Sequence, residues 1–402
     1  MLLAEIAARK VDGNSYSQRE LLIKAFSCGR LFQQPNGKWP KIGDVDSAQS
    51  IPVARANYWD FSPMHQLAAV ALDREDISCS VQHNDQVSML GDELYWLQGT
   101  EGIRRRLAFL PQEQSTKITT LAESGYFVAR DSENQVIFDS GSIAHGLHPN
   151  ATRSTAHGHA DTLQILYTSQ SQELLCDCGM PNYAGDQERA AYFRSPHAHN
   201  TVSLGGAEYV RPAGGLNWSH EVNRPSLYGA EHADRWQAQG RVEWTDCSIQ
   251  RHLLVFPGQC LWVADWIESD CEQKVTWNWH FPMEMNYAVS TKNEVSTEDD
   301  VAIHISTTGE ITDHKMVYGS ESDFHGWASP AYGEMQPIWQ LRFEARVRNQ
   351  LLVLTSIGQI SDEVGFRIGD LTLASNQNEN FDSGFWMKQD CPQQGTWFVQ
   401  SN

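Results

Sequence analysis

Three observations predict a mainly β protein with an N-terminal α-helical segment, its bulk a large antiparallel β-sandwich. From about Thr119 onward, short β-rich runs bounded by turn residues recur with almost no helical pattern between them. Residues 1–118 instead carry helix-start signals and apolar residues at helical spacing. The 402 residues are 41% hydrophobic, with 14 Trp, 12 Tyr and 15 Phe, which is enough to bury sizeable cores and excludes a largely disordered chain. Two domains follow: a helical segment over 1–118 and a sandwich over 119–402.

In the helical segment, Ser17-Gln18-Arg19-Glu20 fits a capping box ahead of Leu21, Leu22, Ala25 and Cys28, with Gly29 near the helix end. Ser62-Pro63 opens a second helix, Pro63 at its first position, through Leu67, Ala68 and Ala71. Between them, Gly37 to Asp60 reads as a long loop whose Asp44 and Asp46 either line the interdomain cleft or make local turn hydrogen bonds, and a short helix follows around Asp92 to Leu97. Strands are expected at Gly125–Arg130, Val136–Asp139, Thr162–Thr168, Leu174–Cys178 and Thr201–Leu204. Further strands are expected at Ile249–Val255, Leu261–Ile267, Val275–Phe281, Val301–Ser306, Trp339–Val347, Gln350–Ser356 and Thr396–Gln400. Many such runs without helices argue for a sandwich.

A formal net charge of -20 argues against sequence-independent nucleic-acid binding, which needs Lys and Arg to neutralise phosphates. The eight cysteines form no Cys-x-x-Cys pair and are too sparse for a disulfide scaffold, so most read as buried thiols. Met1–Lys10 carries Glu5, Arg9 and Lys10 and lacks the apolar core of a signal peptide, and no run approaches membrane-spanning length. Neither a nucleic-acid nor a membrane partner is expected.

The chemistry concentrates in Ala156-His157-Gly158-His159-Ala160-Asp161. In an extended strand His157, His159 and Asp161 would share one face, continued by Leu163, Ile165 and Tyr167 toward a core. Asp177, embedded in Leu174-Leu175-Cys176-Asp177-Cys178, is costly there unless paired or metal-bound. A second His-x-His, His197 and His199, enters another β-branched run. Two imidazoles and one carboxylate from three strands make a zinc first shell, with a fourth position open for water or substrate.

Five motifs, in order and at similar separations, resemble the C-terminal part of the heparinase II/III superfamily of polysaccharide lyases. They are Ser124-Gly125-Tyr126-Phe127-Val128, His157-Gly158-His159-Ala160-Asp161, Asp177-Cys178-Gly179, Tyr192-Phe193-Arg194-Ser195 and His199-Asn200-Thr201-Val202. The resemblance implies that the N-terminal helices are the last of an α/α toroid, incomplete here, and that the sandwich carries the metal site. It implies a carbon–oxygen lyase acting by β-elimination on an anionic, uronic-acid-containing polysaccharide. His157 matches the family's catalytic His, and His159, Asp177 and His199 match its Zn2+ ligands, the metal organising the site more than acting as Lewis acid. It also implies a periplasmic or secreted location.

Around that core, Tyr183 and Tyr192 flank the site in sequence, and either can donate a proton to the leaving oxygen or simply pack. Arg194 can pair with a substrate carboxylate or with a protein acid. In these lyases the catalytic Tyr, and the Asn or His that neutralises the carboxylate, come from the toroid. The helices before residue 119 are too few to close such a ring, so the chain reads either as a fragment of a longer enzyme, inactive in isolation, or as a shortened relative, the first being preferred. Two alternatives stand beside the lyase. One is a zinc hydrolase of the metallo-β-lactamase type, although Thr162 replaces the His that normally follows His-x-His-x-Asp and its layered α/β fold needs helices between strands. The other is a non-catalytic glycan-binding sandwich with structural zinc.

Overall fold

The computed structural model describes residues 1–13, 18–44, 60–79, 92–109, 117–143, 157–182, 186–205, 210–213, 217–221, 226–232, 234–243, 246–285, 287–291, 294–297, 301–359, 364–375, 386–390 and 395–400. The chain divides into two compact units, Met1–Pro40 with Asp46–Thr116 and Lys41–Val45 with Lys117–Asn402. The short Lys41–Val45 segment thus packs with the strands rather than with the helices that flank it.

In the first unit, α1 (Leu2–Asp12), α2 (Arg19–Phe32), α3 (Ser62–Leu72) and α4 (Asp92–Leu107) surround a core of Leu2, Ile6, Leu22, Ile23, Leu67 and Leu94. Local signals were only partly followed. The residue preceding α2 is Gln18, with no side-chain bond, and Ser17 of the expected capping box lies outside the described residues. Gly29 lies inside α2, where the His65 ring leaves room for little else: an added Cβ would meet His65 Nε2 at 3.1 Å. The short helix expected to end near Leu97 runs on to Leu107 across a kink at Gly99, whose φ of 67° only glycine adopts freely.

The second unit is a sandwich of antiparallel sheets. Its first sheet is a meander of β1 (Lys117–Leu121), β2 (Tyr126–Arg130), β3 (Gln135–Asp139), β4 (Gln164–Ser169) and β5 (Gln172–Leu175). Against it packs a ten-stranded sheet centred on two long neighbours, Cys260–Phe281 and Trp339–Gly358. Each is expected as two strands, because the polar runs around Glu268–Glu272 in the first and Arg348-Asn349 in the second read as breaks. The ladder shifts register between Ser269 and Gln273 and then continues.

The period of two along Cys260–Phe281 assigns its faces. Leu261, Val263, Ile267, Val275, Trp277 and Trp279 enter the main core with Phe127, Phe138, Ile165 and Tyr167. On the other face Cys260, Trp262, Ala264 and Trp266 enter a second core with Phe366 and Trp397 of a four-stranded sheet. Further along that same face the residues become Thr276, Asn278 and His280, all buried and polar. The strand therefore carries an apolar face at one end and a hydrogen-bonding face at the other, and the candidate site lies against the polar end. Among the described residues no helical turn follows Ala198, so the layered α/β fold of the hydrolase alternative is not built.

Candidate functional site

The His-x-His-x-Asp segment is not a strand. Residues 157–163 form bends and turns, His157 and Leu163 have φ of 71° and 69°, and β4 begins only at Gln164. The face-sharing expected of an extended chain therefore fails. The His157 side chain is 61% exposed, whereas His159 and Asp161 are buried. Gly158 is required by proximity, since a Cβ there would sit 2.0 Å from the Ile143 carbonyl oxygen. The apolar continuation holds, with Leu163, Ile165 and Tyr167 all in the main core.

Asp177 lies past the end of β5, not within a strand. Its Oδ1 accepts from the Gly179 N–H at 2.6 Å, and its Oδ2 accepts from Gln164 Nε2 at 2.8 Å and from His199 Nδ1 at 3.0 Å. His199 follows a short 3-10 turn, Pro196–Ala198, capped by the Ser195 side chain, and precedes β6 (Val202–Leu204). The rings of His159 and His199 lie 5.2 Å apart, tilted by 45°. Burial pushes the Asp177 carboxyl up, but the charge and hydrogen bond of His199 and the Gly179 N–H outweigh it and hold it below the usual range. Burial lowers His199, and Asp177 more than reverses this. Asp161 goes the other way: burial raises its carboxyl, against the pull of His199 and His159.

Asp44, which the sequence leaves open between lining a cleft and making local turn hydrogen bonds, is central to the site. Its carboxylate is fully buried, with Oδ1 accepting from His159 Nε2 at 2.8 Å and Oδ2 3.3 Å from His157 Nδ1. Burial pushes this carboxyl up, yet the hydrogen bond and charge of His159, joined by Arg194 and His157, keep it below the ordinary value. Only its place more than a hundred residues upstream hid it; no local spacing links position 44 to 159.

Asn200, quoted in a motif but given no role, staples the site together. Its Nδ2 donates to the carbonyls of Ile165 and Cys176, both at 2.9 Å, and its Oδ1 accepts from the His280 N–H at 2.7 Å. Arg194 is buried, its guanidinium 4.7 Å over the Trp218 ring, with Nη2 3.5 Å from the Gly158 carbonyl. Trp218 Nε1 donates to that same carbonyl at 2.8 Å. A substrate-binding Arg194 would need an exposed guanidinium; here it braces the His-x-His turn from behind. Tyr192 is half-buried against a separate cluster with Phe193 and Phe324, its hydroxyl against His325 Nδ1 at 3.0 Å and near Gln340 Oε1 and the His197 carbonyl. That hydroxyl is committed inside the protein rather than offered to a substrate. Tyr183 lies outside the described residues.

Among the described residues no three His, Cys, Asp or Glu side chains already converge as a metal-holding group. The donor chemistry nevertheless suits a divalent cation. His159 Nδ1 is buried with no hydrogen-bond partner among the described residues. Its other nitrogen is held by a carboxylate, the usual support of a metal-ligating imidazole. His199 shows the same arrangement: Nδ1 is held by the Asp177 carboxylate and Nε2 is buried with no hydrogen-bond partner among the described residues.

A profile of the family described as Heparinase II/III-like, C-terminal, matches residues 113–380. Among solved structures, a crystal structure of heparinase III aligns with a TM-score of 0.62 at 13% identity, covering 100% of this chain and 57% of that one. Heparan sulfate lyase from Pedobacter heparinus aligns at 0.57 and 12% identity, covering 100% and 58%. Another structure described as a heparinase III gene product aligns at 0.57 and 13% identity, covering 94% and 50%. At such identities the likeness is one of fold, and the chain spans only 50–58% of the lengths of these structures. Comparison with curated protein sequences gives no match.

Proposed function

Because the chain belongs to the heparinase II/III-like family, we propose that it takes part in β-elimination of a uronic-acid-containing polysaccharide, with His157 as the proton-transfer group. The observation that supports this most is the contrast within one turn of chain. His157 is exposed to a polymer, while two residues on His159 is sealed beside His199 and Asp177, and Asp44 touches both imidazoles.

Elimination removes the proton beside the uronate carboxyl group and expels the glycosidic oxygen, so it needs a base, an acid and an offset for developing negative charge. His157 takes the proton: an exposed imidazole is a general base of the kind such a step needs. Arg194, stacked on Trp218, serves this reading as a brace for the Gly158 turn. For the leaving-group acid, Tyr183 is the tyrosine to test first, since the Tyr192 hydroxyl is already engaged. His159, Asp177 and His199 would hold Zn2+, which when bound supplies positive charge that fixes these connections. An acidic protein repels an anionic polymer unless positive charge is gathered locally, and the metal contributes such charge. The reading carries with it a periplasmic or secreted location, tested by fractionation of the native host.

The test uses the full-length protein with a panel of uronate polymers, following ultraviolet absorbance of the unsaturated product. His157→Ala is expected to abolish turnover while zinc content stays at the wild-type level. Turnover lost only together with zinc, or no turnover on any uronate polymer, refutes the assignment.

A further inference from the structure

The Gly43–Asp44 pair grips the candidate base by both backbone and side chain. The Asp44 N–H donates to the His157 carbonyl at 3.1 Å, and Gly43, with φ of 68°, lies so close that an added Cβ would meet that carbonyl at 3.0 Å. His157 itself has φ of 71°, a left-handed conformation that a non-glycine residue keeps only where its surroundings impose it. The two backbone contacts are part of that imposition. They also deliver the Asp44 carboxylate between His157 and His159.

A carboxylate that is ionised can only accept. The 2.8 Å bond from His159 Nε2 therefore places a proton on Nε2 and, in the neutral ring, leaves Nδ1 as the lone-pair nitrogen. That Nδ1 is the buried atom with no hydrogen-bond partner among the described residues. The other oxygen, Oδ2, lies 3.3 Å from His157 Nδ1 without forming a hydrogen bond to it, and its negative charge favours a proton on that facing nitrogen, which leaves Nε2 as the proton-accepting atom of the exposed ring. One buried acid thus has opposite effects on two neighbouring rings: it protonates the outer nitrogen of one and the inner nitrogen of the other.

We propose that Asp44 is the positioning residue of the site, fixing His157 as the Nδ1–H tautomer that accepts a proton at Nε2 and His159 as the Nε2–H tautomer that offers Nδ1 to a cation. The catalytic half rests on the reading of His157 given above; the tautomer half does not. Burial and the dual contact exclude a role in touching polymer, so Asp44 acts only through the two histidines.

The first test leaves Asp44 unchanged. Nitrogen-15 spectra of the histidine-labelled full-length protein, with side chains assigned by His157→Gln and His159→Gln, are expected to show Nε2–H on His159 and Nδ1–H on His157. The reverse tautomers overturn the proposal. Second, Asp44→Asn, nearly isosteric, is expected to mix the His159 tautomers and weaken zinc, measured by chelator competition, by about 10–100-fold. It is also expected to lower kcat by about 100-fold or more with KM little changed, since the acid does not touch substrate. Unchanged tautomers and zinc affinity in a folded Asp44→Asn overturn it. If wild type turns over no uronate polymer, the lyase reading fails while the spectra still decide the role of Asp44.

Discussion

Arg251 and Asp265, neighbours on adjacent strands of the large sheet and both fully buried, form a two-pronged ion pair, Nε to Oδ1 at 2.7 Å and Nη2 to Oδ2 at 2.9 Å. The remaining nitrogen, Nη1, donates to the carbonyls of Leu163 at 2.7 Å and Asn200 at 2.8 Å. Trp277 Nε1 donates to Asp265 Oδ2 at 2.8 Å. The pair thus ties the strand interior to the last residue of the His-x-His turn and to the neighbour of His199.

Removing one partner leaves an uncompensated buried charge, so Arg251→Met should destabilise the β unit by about 3–5 kcal/mol, while Arg251→Met with Asp265→Leu should recover much of that. Urea unfolding of single and double variants measures it. A double variant no better than the single would show that the carbonyl contacts, not the charge pair, carry the stability.

Asn200→Ala should cost about 2–4 kcal/mol, because it strips partners from the buried Ile165 and Cys176 carbonyls and the His280 N–H at once. Asn200→Asp keeps only the acceptor and should be nearly as costly. Denaturant midpoints check both; a loss under about 0.5 kcal/mol would mean the three groups find other partners.

Acid should destabilise both units through histidines buried neutral. Burial depresses His252 to about 3 and His65 to about 4, the latter partly opposed by the Ile77 carbonyl. In each the folded state binds fewer protons than the unfolded one, whose value is near 6.5. Their contribution is complete above that pH and is lost progressively as pH falls toward 4 and then 3, by an order of a few kcal/mol each. Melting temperature followed from pH 8 downward should drop beneath about pH 6.5. His252→Gln should flatten that drop; a variant as acid-sensitive as wild type would place the effect elsewhere.

Zinc should raise stability by mass action, about 2.7 kcal/mol at free metal a hundredfold above Kd, and a strong chelator should remove that increment. His199→Ala should melt at one temperature with or without chelator. A wild-type protein whose melting ignores both metal and chelator contradicts the metal assignment.

The strand-rich sandwich was legible because period-two patterning is local: Val136–Asp139, Ile249–Val255 and Thr396–Gln400 were located to within a few residues. Helix ends were less so, since Gly29 and Gly99 look like stops in isolation and are retained within helices by packing and by a tolerated kink. The identities in the site motifs were equally plain, but their conformation was not. His157-Gly158-His159 reads as alternation, and the chain instead turns, because Gly158 must clear the Ile143 carbonyl and residues 43 and 44 hold His157 in a left-handed conformation.

By itself, then, the sequence determined the fold class, the family and the residue types that cluster, all of which are written in short-range pattern and ordered motifs. Only the tertiary structure decided which atoms meet. It brought Asp44 beside His157 and His159 from far upstream, buried Arg194 on Trp218, and committed the Tyr192 hydroxyl to His325. The physical reason is that a buried polar atom must find its partner wherever the packed chain provides one. Such partners follow the geometry of layers and turns rather than distance along the chain.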